Sequence, residues 1–147
     1  MQEIKFRGQQ KTTKKWISGF PVWNGDRTKC YILNSLEDIL RLSFPVSGQE
    51  KTIFDCEVIP ETVGQFTGLH DKDGKEIYGG DILEYEKFIC YNKKDGIKTK
   101  TLRCAVVWHK CGFCTDNLEI LTIEFKNCRI VGNVHDNPEL LEGTNNE

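Results

Sequence analysis

The chain lacks most features that announce a chemistry. Across its 147 residues no apolar run approaches the ~20 needed to cross a bilayer as a helix, so no membrane partner is expected. The opening Gln2-Glu3-Ile4-Lys5 does not read as a signal peptide, which predicts a cytoplasmic protein. The three histidines, His70, His109 and His135, fall in or beside predicted turns, with neither a serine elbow nor a cysteine–histidine signature beside them. Only a single Cys-x-x-Cys occurs, where a strong zinc signal needs a second pair at matching spacing.

What is present fits an ordinary globular protein. The hydrophobic fraction is 38% and the charged fraction 29%, and the length suits one domain or two small subdomains sharing a core. Seven cysteines (Cys30, Cys56, Cys90, Cys104, Cys111, Cys114 and Cys128) are an odd number. Without a secretion signal they read as reduced thiols, several of them small buried hydrophobes. The net charge of -2 hides a segregation. Residues 1–30 hold seven basic side chains against Glu3 and Asp26, and residues 87–110 hold seven against Asp95. From Asp136 onward every charge is acidic. Such patches suit a phosphate backbone. Lysine at hairpin tips also solvates exposed strands and blocks edge pairing, and the basic loop lacks the aromatic interleaving of single-strand binders.

The most informative stretch runs from Phe66 to Tyr85. Asp71, Asp73 and Gly74 supply hairpin-turn chemistry. Gly79-Gly80 permits a sharp corner, and Asp81 can accept a turn amide as the chain enters Ile82-Leu83-Glu84-Tyr85. The run contains no nucleophile, base or phosphate cradle. A calcium-loop reading fails, because counting from Asp71 puts Gly74 fourth and Ile82 twelfth, where an EF-hand needs glycine sixth and glutamate twelfth. These aspartates therefore read as turn formers.

Elsewhere the pattern is short strands. Glu3 to Arg7 alternates; Trp16-Ile17 and Phe20 to Trp23 predict a second strand before the turn Asn24-Gly25-Asp26; Tyr31-Ile32-Leu33 continues beyond it. A helix is predicted next, with Ser35 as N-cap, Asp38 as the reciprocal cap, and Leu36, Ile39, Leu40 and Leu42 buried, closed by Pro45 and Gly48. Cys56, Val58 and Ile59 suggest one more strand. Ile82–Tyr91 and Lys98–Trp108 predict a hairpin across Asn92 to Gly96, with Leu102, Cys104, Val106 and Trp108 on one face. Leu118–Phe125 and Arg129–Val134 predict two further strands. Asn137 caps a closing helical turn opened by Pro138. The organisation predicted is an N-terminal strand/helix part over 1–60, a small β-barrel over 61–142 and a frayed tail over 143–147, a mainly β fold whose closure would remove exposed edges.

Cys111-Gly112-Phe113-Cys114 gives an alternative reading as a zinc-containing module, with Cys104 and His109, or Cys128, completing the set. Cys104 falls on the apolar side of its strand, which suits burial better. No βαβ context supports a redox role. No residue is assigned a catalytic, cofactor-binding or metal-binding role, and no cofactor is expected.

Three anchors in order resemble the YopX-like family of bacteriophage and prophage proteins: Glu3-Ile4-Lys5-Phe6-Arg7, the block Gln65–Tyr85, and Ile130-Val131-Gly132-Asn133-Val134-His135-Asp136-Asn137-Pro138-Glu139-Leu140-Leu141. They bracket nearly the whole chain. Gly8-Gln9 departs from the Ala-Trp usual after the family's opening strand, and 43–53 matches no family pattern. The resemblance implies that the C-terminal barrel is SH3-like and that no catalytic function is agreed. It suggests an accessory protein acting in the bacterial host cytoplasm. The expected function is a non-enzymatic interaction module that docks on a host or phage protein, with homo-oligomerisation a further option and Trp16, Trp23, Trp108, Tyr85 and Tyr91 as candidate surface aromatics. A nucleic-acid-binding barrel using the basic segments is the alternative.

Overall fold

Alternating polarity broken by Gly, Asp, Asn and Pro produces ten β-strands and two short 3-10 turns among the described residues. The computed structural model describes residues 4–35, 38, 56–94, 96–110, 112–116 and 127–142. The fold is mainly β, as expected, with antiparallel pairing throughout. The chain divides into two compact units, 1–66 and 67–147.

In the first unit, β1 (Phe6–Gln9) pairs with the first half of β2 (Trp16–Trp23), from Phe6↔Gly19 to Gln9↔Trp16. The second half of β2 pairs with β3 (Cys30–Leu33), and β3 with β4 (Glu57–Val58). On the other side of β1 lie the first residues of β5 (Gly64–His70), in the register Phe6↔Gln65. Cys30, Ile32 and Val58 are buried together under Ile17 and Val63. The predicted turn after β2 is held by side chains: Asn24 Oδ1 accepts the Lys29 amide at 2.8 Å, and Asp26 Oδ1 accepts the Thr28 amide at 3.1 Å. The reciprocal cap also forms: Asp38 N–H donates to Ser35 Oγ and Ser35 N–H to Asp38 Oδ2, both at 3.2 Å. The rest of that predicted helix lies outside the described residues. Pro60 opens a 3-10 turn, Pro60–Thr62.

The second unit begins with the end of β5 and β6 (Glu76–Tyr78) around the predicted turn, where Gly74 has φ +80°. A four-stranded sheet follows in the order β10-β7-β8-β9, made from β7 (Asp81–Asn92), β8 (Gly96–His109), β9 (Gly112–Thr115) and β10 (Arg129–Asn133). Leu83, Cys104 and Val106 share one face of it and join Ile77 and Cys128 in the core, with Leu69, Tyr85, Phe113 and Ile130 packed around them. Ala105 is buried too, on the other face. Both faces of β8 are therefore covered at its centre.

Three features differ from the sequence expectation. The four strands form an open sheet, and barrel closure over 61–142 is not seen among the described residues; the predicted strand 118–125 lies outside them. Gly112–Thr115, over which no strand was predicted, is a strand, because Phe113 is drawn onto the core and meets Trp108 edge-on at 4.8 Å. The closing turn Pro138–Leu141 is a 3-10 helix, and Asn137 makes no side-chain cap bond.

Glycine has a steric role at two places. Gly80 turns the chain between β6 and β7 at φ +88°, in the region that L side chains rarely adopt. A Cβ on Gly132 would lie 2.6 Å from Asn137 Oδ1 and 2.9 Å from Leu140 Cδ1, so the closing turn packs directly on bare backbone. Gly132→Ala is expected to cost about 2 kcal/mol by overpacking, seen as a lower denaturant midpoint at unchanged slope.

Candidate functional site

The β7–β8 hairpin outgrows its sheet. The two strands pair from Ile82↔Ala105 to Asn92↔Gly96, but β10 reaches only to Glu84 and β9 starts only at Val106. Beyond Tyr85↔Leu102 the pair continues as a two-stranded arm among the described residues. No described strand flanks it, and Gly96-Ile-Lys-Thr-Lys-Thr101 brings one large apolar residue to its β8 side. Residues 86–91 and 97–101 are all exposed.

Register sorts this arm into two faces. Lys87 lies opposite Lys100, and Cys90 opposite Lys98, on the face that continues Leu83 and Tyr85. Phe88 lies opposite Thr99 and Tyr91 opposite Ile97 on the reverse face, which continues the Glu84–Arg103 ion pair of 2.9 Å. A β-bulge between Phe88 and Cys90 takes up one residue, which is what lets both Phe88 and Tyr91 fall on the same side. Phe88, Tyr91 and Ile97 are 59%, 66% and 67% exposed.

The candidate aromatics separate. Tyr91 is on the arm, and Trp108 is exposed beside Phe113. Tyr85 packs on the core instead. Trp16 is half-buried, with the Arg7 guanidinium 4.7 Å over its ring. Trp23 is partly exposed on β2 with Phe20 and Val22. Sequence reasoning missed Phe88 and Ile97, although the poverty of apolar residues in 96–101 was a usable signal.

The aspartates of the central run are held by backbone amides. Asp71 is buried; its Oδ1 accepts from Asp73 and Lys75 N–H, both at 2.9 Å, and its Oδ2 from Ile130 N–H at 3.1 Å. Burial is the largest influence on this carboxyl and pushes its pKa up, but the amide bonds and the Lys75 charge together outweigh it and hold it below the ordinary value. Two more links run alongside: Lys72 N–H donates to the Cys128 carbonyl at 2.9 Å, and Arg129 pairs with Asp73 at 3.3 Å. Asp81 is fully buried and its Oδ2 accepts the Tyr78 amide at 2.8 Å. Gly80, beside it, donates to the Val106 carbonyl and accepts from Val134 N–H.

The cysteine and histidine positions do not converge. Cys111 lies outside the described residues. Cys114 is opposite Val107 in the register, while Cys104 shares the Val106 face, so the two thiols project to opposite sides of the sheet. Cys128 is in the core with Cys104. Among the described residues no group of three or more His, Cys, Asp or Glu is placed to hold a metal. His70, His109 and His135 are all exposed. Burial raises the Cys30 thiol pKa to about 11; burial, and then the negative charge of Asp71, raise Cys128 to about 11.

Compared with known proteins, the chain matches a family model described as YopX protein over residues 5–142. A solved structure described as protein EF1440 from Enterococcus faecalis is similar over 96% of this chain and 99% of that one, with a TM-score of 0.56 and 20% identity, a likeness that bears on fold alone. Among curated proteins nothing matches.

Two outcomes follow from this geometry. Asp71→Ala is expected to cost about 3 kcal/mol at neutral pH, since three amides lose a charged acceptor. Asp71→Asn keeps one oxygen for the turn and sets an amide against Ile130 N–H, so hydrogen exchange should rise first at Ile130. The stability from Asp71 is complete above the ordinary pKa of 3.8 and is lost as pH falls through the lower folded value; either variant should flatten that acid limb of the stability curve. In native protein at neutral pH, a thiol reagent should label exposed Cys90 at once and leave Cys30 and Cys128 intact until denaturant is added.

Proposed function

This chain belongs to the YopX protein family, and from that premise we propose that it is a non-enzymatic interaction protein, a phage or prophage accessory factor that docks on another protein in the bacterial cytoplasm. The observation that carries the reading is the apolar face of the β7–β8 arm, where Phe88, Tyr91 and Ile97 stand in water beyond the reach of the core. Large apolar side chains gathered on one strand face mark interaction sites far more than scattered ones do. An exposed strand face can engage a partner directly, and that mode is the one proposed for the arm. Fold alone does not choose the partner; the side chains of the arm do.

A second reading has its own support. Lys87 lies directly opposite Lys100 on one face of the arm, and a two-stranded ribbon fits the major groove of DNA. Lys98, opposite Cys90, extends that basic face.

The readings part in a tagged pull-down from host cytoplasm, with and without nuclease. The interaction reading expects a protein that stays bound after nuclease and in high salt, with at least tenfold weaker binding by Phe88→Ser/Tyr91→Ser. Recovery of nucleic acid alone, with an affinity that falls steeply with salt and is lost in Lys87→Glu/Lys100→Glu, would assign the arm to phosphate contact instead.

A further inference from the structure

The apolar face of the arm carries an inference that rests on the interaction reading and names one partner for it. Along β7 and into the turn that follows it the charges are ordered: Glu84 and Glu86 stand at the base of the arm, Phe88 and Tyr91 in the middle, and Lys93 and Lys94 in the turn at the tip. Glu86 precedes Phe88 by two residues, and Lys93 follows Tyr91 by two.

That order is self-complementary under one operation. We propose that the apolar face of the arm packs against the same face of a second copy of this chain, the two arms antiparallel about a two-fold axis near Ile89 and Cys90. The axis that sets Phe88 of one copy against Tyr91 of the other also sets Glu86 against Lys93. Each favourable contact then occurs twice, as an isologous interface requires. A parallel pairing would bring Glu86 onto Glu86 and Lys93 onto Lys93, and repulsion disfavours it. Lys87, Lys98 and Lys100 lie on the reverse face, so the packing does not bring those lysines together.

Packing of the two apolar faces removes Phe88, Tyr91 and Ile97 of both copies from water. Two arms about seven residues long and one sheet face wide bury roughly 800 Å² in total. This lies below the standard size for stable complexes, so micromolar self-association is expected rather than an obligate dimer.

Sedimentation at low salt, over protein concentrations from about one to several hundred micromolar, tests the proposal. The expected result is twice the single-chain mass at the upper end for the wild-type chain, and a single chain throughout for Phe88→Ser/Tyr91→Ser. Glu86→Lys or Lys93→Glu alone should each weaken association about tenfold, since two symmetric pairs turn repulsive. The two changes combined in one chain should restore it. All these positions are on the exposed arm, and an unchanged thermal midpoint will show that the fold persists. A wild-type chain that stays single, self-association indifferent to Phe88→Ser/Tyr91→Ser, or a charge swap that fails to restore it would each overturn the proposal. A single chain that still retains a nuclease-resistant protein through Phe88 and Tyr91 would sink the two-fold pair and leave the interaction reading standing.

Discussion

The second unit depends on a buried carboxylate. Asp71 sits in the turn between β5 and β6, yet one of its oxygens reaches Ile130, 59 residues further on. A buried carboxylate is costly unless its lone pairs are filled; here three backbone amides fill them, and charge-assisted bonds of this kind are the stronger class. The same group thus sets the local shape of the turn and ties the turn to β10. Lys72 to the Cys128 carbonyl and Asp73 to Arg129 repeat the link on either side. With 71–75 fixed against 128–130, Ile77 and Cys128 are held in one core with Leu83, Cys104 and Val106. The negative charge of Asp71 also reaches Cys128, which helps keep that thiol protonated and inert.

The second corner works by the same economy. Gly80 bends where a side chain would strain the backbone, and its amide and carbonyl bind Val106 and Val134. Asp81 then accepts the Tyr78 amide behind the bend. One glycine and one aspartate at each corner supply a positive φ and an internal acceptor, which are the two things a tight turn next to a core needs.

These corners were legible from sequence because their chemistry is local: Asp-x-Asp-Gly and Gly-Gly-Asp carry both acceptor and conformation within four residues. The Ser35/Asp38 cap was legible for the same reason. The family likeness was legible from three spaced anchors. Features set by distant contacts were not. That Asp71 would reach Ile130 has no local signature. Gly112–Thr115 gave no strand signal because its glycine and cysteines say nothing of the core that recruits Phe113. Asn137 has the composition of a cap, but its side chain lies over Gly132 instead. Alternation, finally, reports which residues share a face and not whether that face is covered. The strand from Ile82 to Tyr91 reads as continuous, yet among the described residues its core ends at Tyr85.

The uncovered length is where function is most economically sought. A two-stranded hairpin is at best marginal in water, and the described arm adds like charges opposite each other and four large apolar residues in solvent, Phe88, Ile89, Tyr91 and Ile97. Lysines along its edges oppose indiscriminate strand addition, while the bulge after Phe88 brings the apolar residues to one side. The two features act against each other unless the arm meets a specific surface: the first discourages generic association, the second preserves a patch that only association can bury. A ribbon built merely as a solvated loop would gain from exchanging Phe88, Tyr91 and Ile97 for polar residues and from alternating its charges. An ordered sequence of acid, aromatic and base along β7 makes sense when something of matching order lies across it, and the simplest surface with that order is the arm itself, reversed.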